Sequence, residues 1–537
     1  MRFSDSFSIE PEGSGGAEPA QRLLDFLSEP ASYLEGTERV ELRETHISWV
    51  FLTDAQVYKL KKPVRFEFVD FSTLEARRRA CDDEVRLNRR LAPDVYLEVL
   101  PITDEGQERL ALGGAGRPVE WAVKMRRLPA DRMLDELIRA RRLTRGDIDS
   151  LAALLARFYR EAEPLPIAAE EYRGGVERHV RANLELLSSP GLDLAGGLVR
   201  RVHHAQLRLL LCYPELLDAR AGGRRIVDGH GDLRPEHICL EAAPVVFDCV
   251  EFSADLRRID VIDELSFLAV ECDLLDAPEV GRTLIDRYRA ASGDRPPPPL
   301  LHFYRAYRAC VRAKVAALRA RQAGGPERDA DLRQAERYLR LADDERTKFC
   351  RPLLLVVRGL MGTGKSTLAR GLAESLGMEL IATDAVRREL LGASPEASGF
   401  GEGHYAAERI DQVYREMFRR AGGLLVRGTS VILDGSFTAA RHREQAAALA
   451  AAQQAGWLIA RCHCRDEEAR RRIAARQASG GDPSEARPEL LTQQRKAEQP
   501  DLPGIESLPI NTEASLDEQQ RLVRQAIREL LPLGAPD

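Results

Sequence analysis

The segment Gly359-Leu360-Met361-Gly362-Thr363-Gly364-Lys365-Ser366 constrains this chain more than any other. It fills every position of G-x-x-x-x-G-K-[ST]. Its flanks fit as well: Leu353–Val357 reads as a buried strand and Thr367–Leu376 as a helix. Glycines let successive backbone N–H groups turn inward around phosphate oxygens, and the helix N-terminus adds partial positive charge. Gly359, Gly362, Thr363, Gly364, Lys365, Ser366 and Thr367 are therefore the expected ATP-binding residues. Lys365 should reach the β- and γ-phosphates, and Ser366 should hold Mg²⁺.

Further short apolar runs follow at Leu380–Ala382, Ser430–Leu433 and Trp457–Cys462, with helical stretches between them. That alternation predicts an α/β domain over residues 349–537, a parallel sheet with helices on both faces. Ligands of such sheets sit at the carboxyl ends of the strands, where Asp384 and Asp434 fall. Asp434 is placed to hold water on Mg²⁺. Asp384 can take the proton of an acceptor hydroxyl, with Arg387 one turn on gripping the acceptor; its alternative role is a helix N-cap. Arg470, Arg471, Arg472 and Arg476 precede a Gly- and Pro-containing stretch, 480–488. Arginines on a lid there, Arg476 among them, can neutralise a phosphoryl group in transfer; a solvated basic face is the alternative.

This half of the chain resembles the P-loop kinases of small molecules and nucleic-acid ends, including polynucleotide 5′-kinase, gluconate kinase and zeta-toxin types. The resemblance rests on Gly359–Ser366, Asp384 with Arg387, Asp434 and the arginine-bearing lid. In the polynucleotide kinases an Asp-x-x-Arg motif activates and orients the hydroxyl acceptor, and Asp384–Arg387 has that spacing. The resemblance implies an acceptor hydroxyl on a nucleic-acid end, a nucleotide or a sugar.

A second constellation lies upstream. His230-Gly231-Asp232 follows a strand-like Arg225–Asp228, and Asp248 ends Val245–Phe247. Phosphoryl transfer needs one carboxylate to accept a proton and another to hold Mg²⁺, roles that suit Asp232 and Asp248. Residues 46–62 read as a hairpin, residues 73–91 as a charged helix, and residues 95–102 and 119–125 as strands, before a long helical region. Few strands and then many helices predict an α+β, bilobal domain over residues 26–348. Residues 1–25 are expected to be disordered.

Here the chain resembles the aminoglycoside phosphotransferase-like kinases, relatives of the protein kinases. Asp232 looks like their catalytic Asp and Asp248 like their metal-binding Asp. Lys59 or Lys61 would be the phosphate-binding lysine, with Lys59 deeper in its strand, and Glu84 its ion-pair partner. The family's Asn, five residues after the catalytic Asp, is His237 here. Imidazole suits softer metals than Mg²⁺. Either His237 packs, or the metal is held differently, or this lobe is catalytically weak. The tandem order resembles two-domain bacterial fusions of such a kinase with an ATP-binding domain.

Composition excludes other classes. The 537 residues carry a net charge of −6, which argues against a basic nucleic-acid coat. No apolar run reaches the roughly 20 residues needed to cross a bilayer. Nine scattered cysteines form no disulfide or zinc framework, and Cys462-His463-Cys464 reads as part of a strand. Free thiols without an export signal point to the cytoplasm. The helix over residues 303–318 reads as one with a solvated basic face.

Overall fold

A computed structural model describes residues 17–33, 36–66, 69–107, 109–392, 406–479, 488–501 and 503–530. They form two compact units. One comprises the chain up to Tyr172 with Ala219–Pro296; the other comprises Arg173–Asp218 with Pro297 onward. Residues 173–218 and 297–348, which the sequence reading groups with the first constellation, thus cluster with the phosphate-loop sheet.

The first unit is built on an antiparallel sheet of β1 (Glu41–Glu44), β2 (Ser48–Leu52), β3 (Gln56–Lys61), β4 (Tyr96–Asp104), β5 (Leu110–Leu112) and β6 (Arg117–Arg126). The order is β1-β2-β3-β6-β4-β5. Thr53 closes the β2–β3 hairpin: its hydroxyl accepts from the Gln56 N–H at 3.0 Å. One sheet face buries Phe51, Tyr58, Leu60, Ile102 and Ala122 against Leu27 and Tyr33. Leu27 comes from a helix, Ala17–Ser28, in a stretch the sequence reading had partly assigned to a disordered terminus. Its Leu23, Leu24 and Leu27 form an apolar stripe that the sheet covers. Residues 1–16 lie outside the described residues.

On the other sheet face, the helix Leu74–Asn88, capped by the Thr73 side chain, packs Cys81 and Val85 on Tyr96, Val123 and Met125. Further along come β7 (Ile226–Asp228), β8 (Ile238–Cys239), β9 (Val245–Val246) and β10 (Arg258–Asp260). β7 pairs with β10 and β8 with β9, both antiparallel. The helix Val261–Leu274 is buried on almost every side.

The second unit holds a fully parallel sheet of β11 (Leu353–Arg358), β12 (Glu379–Ala382), β13 (Val431–Gly435), β14 (Gly456–His463) and β15 (Leu508–Asn511). The order is β12-β13-β11-β14-β15; the alternating apolar runs predict every one of these strands but β15, and their parallel arrangement, though not the order. β11 is central and buried along its whole length, so its residues are apolar without alternation. Leu355 and Val357 pack on Leu368 and Leu372 of the helix Lys365–Leu376, while Leu354 and Val356 pack on Met417 and Ala446 from the opposite face. Full burial of a leucine such as Leu355 contributes about 2 kcal/mol. Cys462 is buried and His463 exposed, the alternation of a strand.

One expectation is corrected in this unit. Residues 303–318 lie within the helix Pro298–Gln322, whose basic side chains are not all in solvent. Arg305 is buried and pairs with Glu345 at 3.1 Å, and Arg312 Nε donates to the Tyr338 hydroxyl at 3.2 Å. Among the described residues no helix is long and apolar enough to cross a membrane.

Candidate active sites

In the second unit the chain leaves β11 at Arg358, turns through the phosphate loop and enters the helix at Lys365. Gly362 and Gly364 have φ of 77° and 80°, backbone that favours glycine. Gly362 is also sterically required, because a Cβ there would lie 2.6 Å from the Ala469 carbonyl oxygen.

Register puts Asp434 opposite both Val357 and Ala382, so the loop, Asp434 and the start of the next helix meet at one end of the sheet. Asp434 is 5% exposed, and its Oδ1 is buried without a hydrogen-bond partner. Burial pushes its carboxyl above the usual range, opposed by the Lys365 ammonium and a hydrogen bond from Ser366. A buried carboxylate oxygen left unmatched beside a hydroxyl and an ammonium is the donor chemistry expected around Mg²⁺, so Asp434 and Ser366 fit that ion.

Asp384 lies in the first turn of the helix Thr383–Leu391, whose N-cap is Ala382, so it is not the cap. Arg387 Nη1 donates to Asp384 Oδ1 at 2.6 Å, and the Asp384 side chain is 42% exposed. Tyr414 borders the same strand end; its hydroxyl accepts from the Phe437 N–H at 3.0 Å.

The lid arginines fall on the helix Asp466–Ser479. Arg472 binds Glu468 at 2.7 Å and the Thr512 carbonyl at 2.9 Å, and Arg471 binds Glu468 at 2.8 Å. Arg476 falls in the same helix, but its side chain and residues 480–487 lie outside the described residues. Sequence reasoning missed what roots this segment. Arg358, 1% exposed, reaches Glu498 at 3.2 Å and Asp501 at 2.9 Å, and Arg443 stands 3.7 Å from Asp501. Met361 N–H donates to Gln494 Oε1 at 2.8 Å. An arginine ending an otherwise apolar buried strand was the one available signal for Arg358.

In the first unit, strand alternation sends Lys59 and Lys61 to one side, where both meet Glu84 of the helix Leu74–Asn88. The distances are 2.8 Å and 2.5 Å. Lys59 also reaches Asp248 at 2.6 Å, whereas Lys61 pairs with Glu251. Of the two lysines, Lys59 is thus the one beside Asp248. Burial opposes ionisation of Asp248, but Lys59 and then His237 outweigh it and hold the carboxyl well below its usual range. For Glu84, burial is likewise overcome by Lys59 and Lys61, and its carboxyl is lowered. Removing one member of a buried ion cluster leaves the others uncompensated. Glu84→Gln should therefore lower the unfolding free energy by about 3 kcal/mol; chemical denaturation of the variant beside wild type measures it.

Gly231 has φ of 85°, and a Cβ there would press on Val250 at 3.2 Å, so the His-Gly-Asp turn needs its glycine. Glu264, another residue missed from sequence, organises this turn. It accepts the His230 N–H at 2.9 Å, the Gly231 N–H at 2.5 Å and the Tyr159 hydroxyl at 2.8 Å. Its signal was a carboxylate inside the most apolar stretch of a buried helix.

Asp232 pairs with Arg234 at 3.1 Å. His237 stands between the two aspartates: Nδ1 lies 2.9 Å from the Asp232 carbonyl oxygen and Nε2 3.5 Å from Asp248 Oδ2. Nε2 also faces Arg234 Nη2 at 3.0 Å. Asp232, His237, Asp248, Lys59 and Glu84 are thus brought into one cluster. Among the described residues no group of three His, Cys, Asp or Glu side chains is arranged to hold a metal by itself.

A family model described as "AAA domain" matches residues 354–500, the span carrying the phosphate loop, Asp384, Asp434 and the lid. The uncharacterized protein Rv2004c of Mycobacterium tuberculosis H37Rv is 37% identical over 449 residues, covering 82% of this chain and 87% of that protein. Mb2027c of Mycobacterium bovis matches to the same extent. This chain belongs to their family. Among solved structures, a choline/ethanolamine kinase family protein from Mesorhizobium loti is 15% identical with a TM-score of 0.37, covering 61% of this chain and 99% of that one. A gluconokinase from Sinorhizobium meliloti is 18% identical with a TM-score of 0.26, covering 34% and 95%. This chain joins a P-loop nucleotide-binding domain to a first unit that carries its own cluster of carboxylates and lysines.

Proposed function

We propose that the chain is an ATP-dependent phosphotransferase whose principal catalytic centre is the P-loop domain. It passes the γ-phosphoryl group of ATP to an acceptor hydroxyl. The observation that carries this reading is the buried, unpartnered Oδ1 of Asp434 beside Ser366 and Lys365, at the strand end that also presents Asp384 and Arg387.

In this reading the loop amides and Lys365 hold the β- and γ-phosphates. Ser366 and Asp434 would hold Mg²⁺, which would supply charge neutralisation at the phosphates. Asp384 accepts the acceptor's hydroxyl proton as its oxygen bonds to the γ-phosphorus and the bond to the ADP oxygen breaks. Arg387, paired with Asp384, holds both that carboxylate and an anionic acceptor in place. Incubating the protein with γ-labelled ATP and nucleic-acid 5′ ends, nucleotides, sugars or aminoglycosides tests it. Label should pass to one acceptor class; an unlabelled panel with no ATP binding would overturn the reading.

A second reading concerns the first unit. Lys59 ties up Asp248, and His237 has protein partners at both ring nitrogens, which favours a nucleotide-sensing module over an independent kinase. Asp232→Ala separates the two. Unchanged acceptor phosphorylation by this variant supports the sensor; loss of a distinct labelled product supports a second kinase.

A further inference from the structure

Within the second unit, the helix Gly196–Cys212 lies over the amino-terminal ends of β12 and β13, the end of the sheet away from the phosphate loop. Between them is a cavity of about 210 Å³ lined by Arg200, Arg201, His204, Arg208, Arg427 and the Thr429 segment. A more open cavity of about 960 Å³ shares Arg201 and Arg427 with it and adds Arg346.

The charges here do not balance. Arg201 is matched by Asp343 at 2.6 Å, but among the described residues Arg200 has only Glu379, at 4.0 Å. Among the described residues, Arg208 and Arg427 have no carboxylate within ion-pair distance. Arg208 is the telling case. It is 6% exposed, and the partner its guanidinium finds is the weak acceptor Cys350 Sγ, at 3.2 Å. A buried guanidinium without a counter-charge is costly, and a neutral thiol recovers little of that cost. The surrounding field is positive: burial, and then Arg208, His203 and Arg200, lower the His204 imidazole to about 4. His204 therefore stays neutral at physiological pH, and the arginines carry the positive charge of the cavity.

We propose that this cavity is a second ligand site, for the phosphate group of a small phosphorylated molecule. Arg208 and Arg427 grip the phosphate in the inner pocket, and the rest of the ligand extends into the open cavity. Guanidinium forks match phosphate oxygens bidentately. The inner volume suits one phosphate or diphosphate, and the outer volume suits an organic remainder. The site shares no residue with the P-loop centre, so it stands whether or not that centre is a kinase.

Isothermal titration of the full chain with inorganic pyrophosphate, at low ionic strength and without Mg²⁺, tests the proposal. The titration is run in a Lys365→Ala background to suppress P-loop binding. Saturable binding should persist there and weaken at least tenfold on adding Arg427→Gln, an exposed position, or Arg208→Gln. Circular dichroism confirms that each variant is folded. Binding that disappears with Lys365→Ala alone, or that ignores both arginine substitutions in folded protein, overturns it.

Discussion

Lys365→Ala should lower ATP-dependent acceptor phosphorylation by about a hundred- to a thousand-fold, the usual cost of removing one preorganised group from developing negative charge. The ammonium stands close enough to Asp434 to oppose the upward push of burial on that carboxyl. It thus serves both the phosphates and the metal-facing carboxylate. The substitution leaves the loop backbone unchanged, because the φ values of Gly362 and Gly364 and the contact of Gly362 with Ala469 do not involve the lysine side chain. The variant should therefore unfold at a denaturant midpoint close to wild type while losing turnover. Radiolabel transfer and a denaturation curve on the same preparation distinguish lost chemistry from lost fold.

Asp384→Asn should reduce kcat by about 10² to 10⁴, the range for deleting a general base, with little change in the affinity for ATP. The asparagine retains the shape and can still accept a hydrogen bond from Arg387 in place of the 2.6 Å ion pair. What it cannot do is take the acceptor's proton. A helix-capping role would predict a stability loss and no kinetic effect, but the cap position belongs to Ala382. Steady-state kinetics with a nucleotide-binding titration separate the two. A fall in ATP affinity equal to the fall in kcat would assign Asp384 to nucleotide binding.

The legible parts of this structure are those with local causes. The phosphate loop announces itself because glycine, lysine and hydroxyl are needed at fixed spacing. Buried parallel strands such as Leu353–Arg358 read as unbroken apolar runs because both faces are covered. The hairpin that carries Lys59 and Lys61 was visible in its β-prone runs and turn. What stayed hidden depends on partners distant in sequence. β15, Leu508–Asn511, is a short edge strand containing Pro509 and has too little pattern to find. The helix Ala17–Ser28 was masked by the Ser-, Gly- and Pro-rich residues before it. Arg358, Arg443 and Glu264 matter through bonds to residues 33 to 143 positions away, which no local window contains.

Arg358 closes the strand that opens into the phosphate loop, and it also grips Glu498 and Asp501 where the chain returns from the lid. Nucleotide grip and lid footing therefore share one rivet. Anyone redesigning the acceptor range by transplanting segments here has to keep Ala469 and Gln494, which touch the phosphate loop, as well as Glu498 and Asp501. A graft that extends through 498–501 would unseat the loop along with the lid.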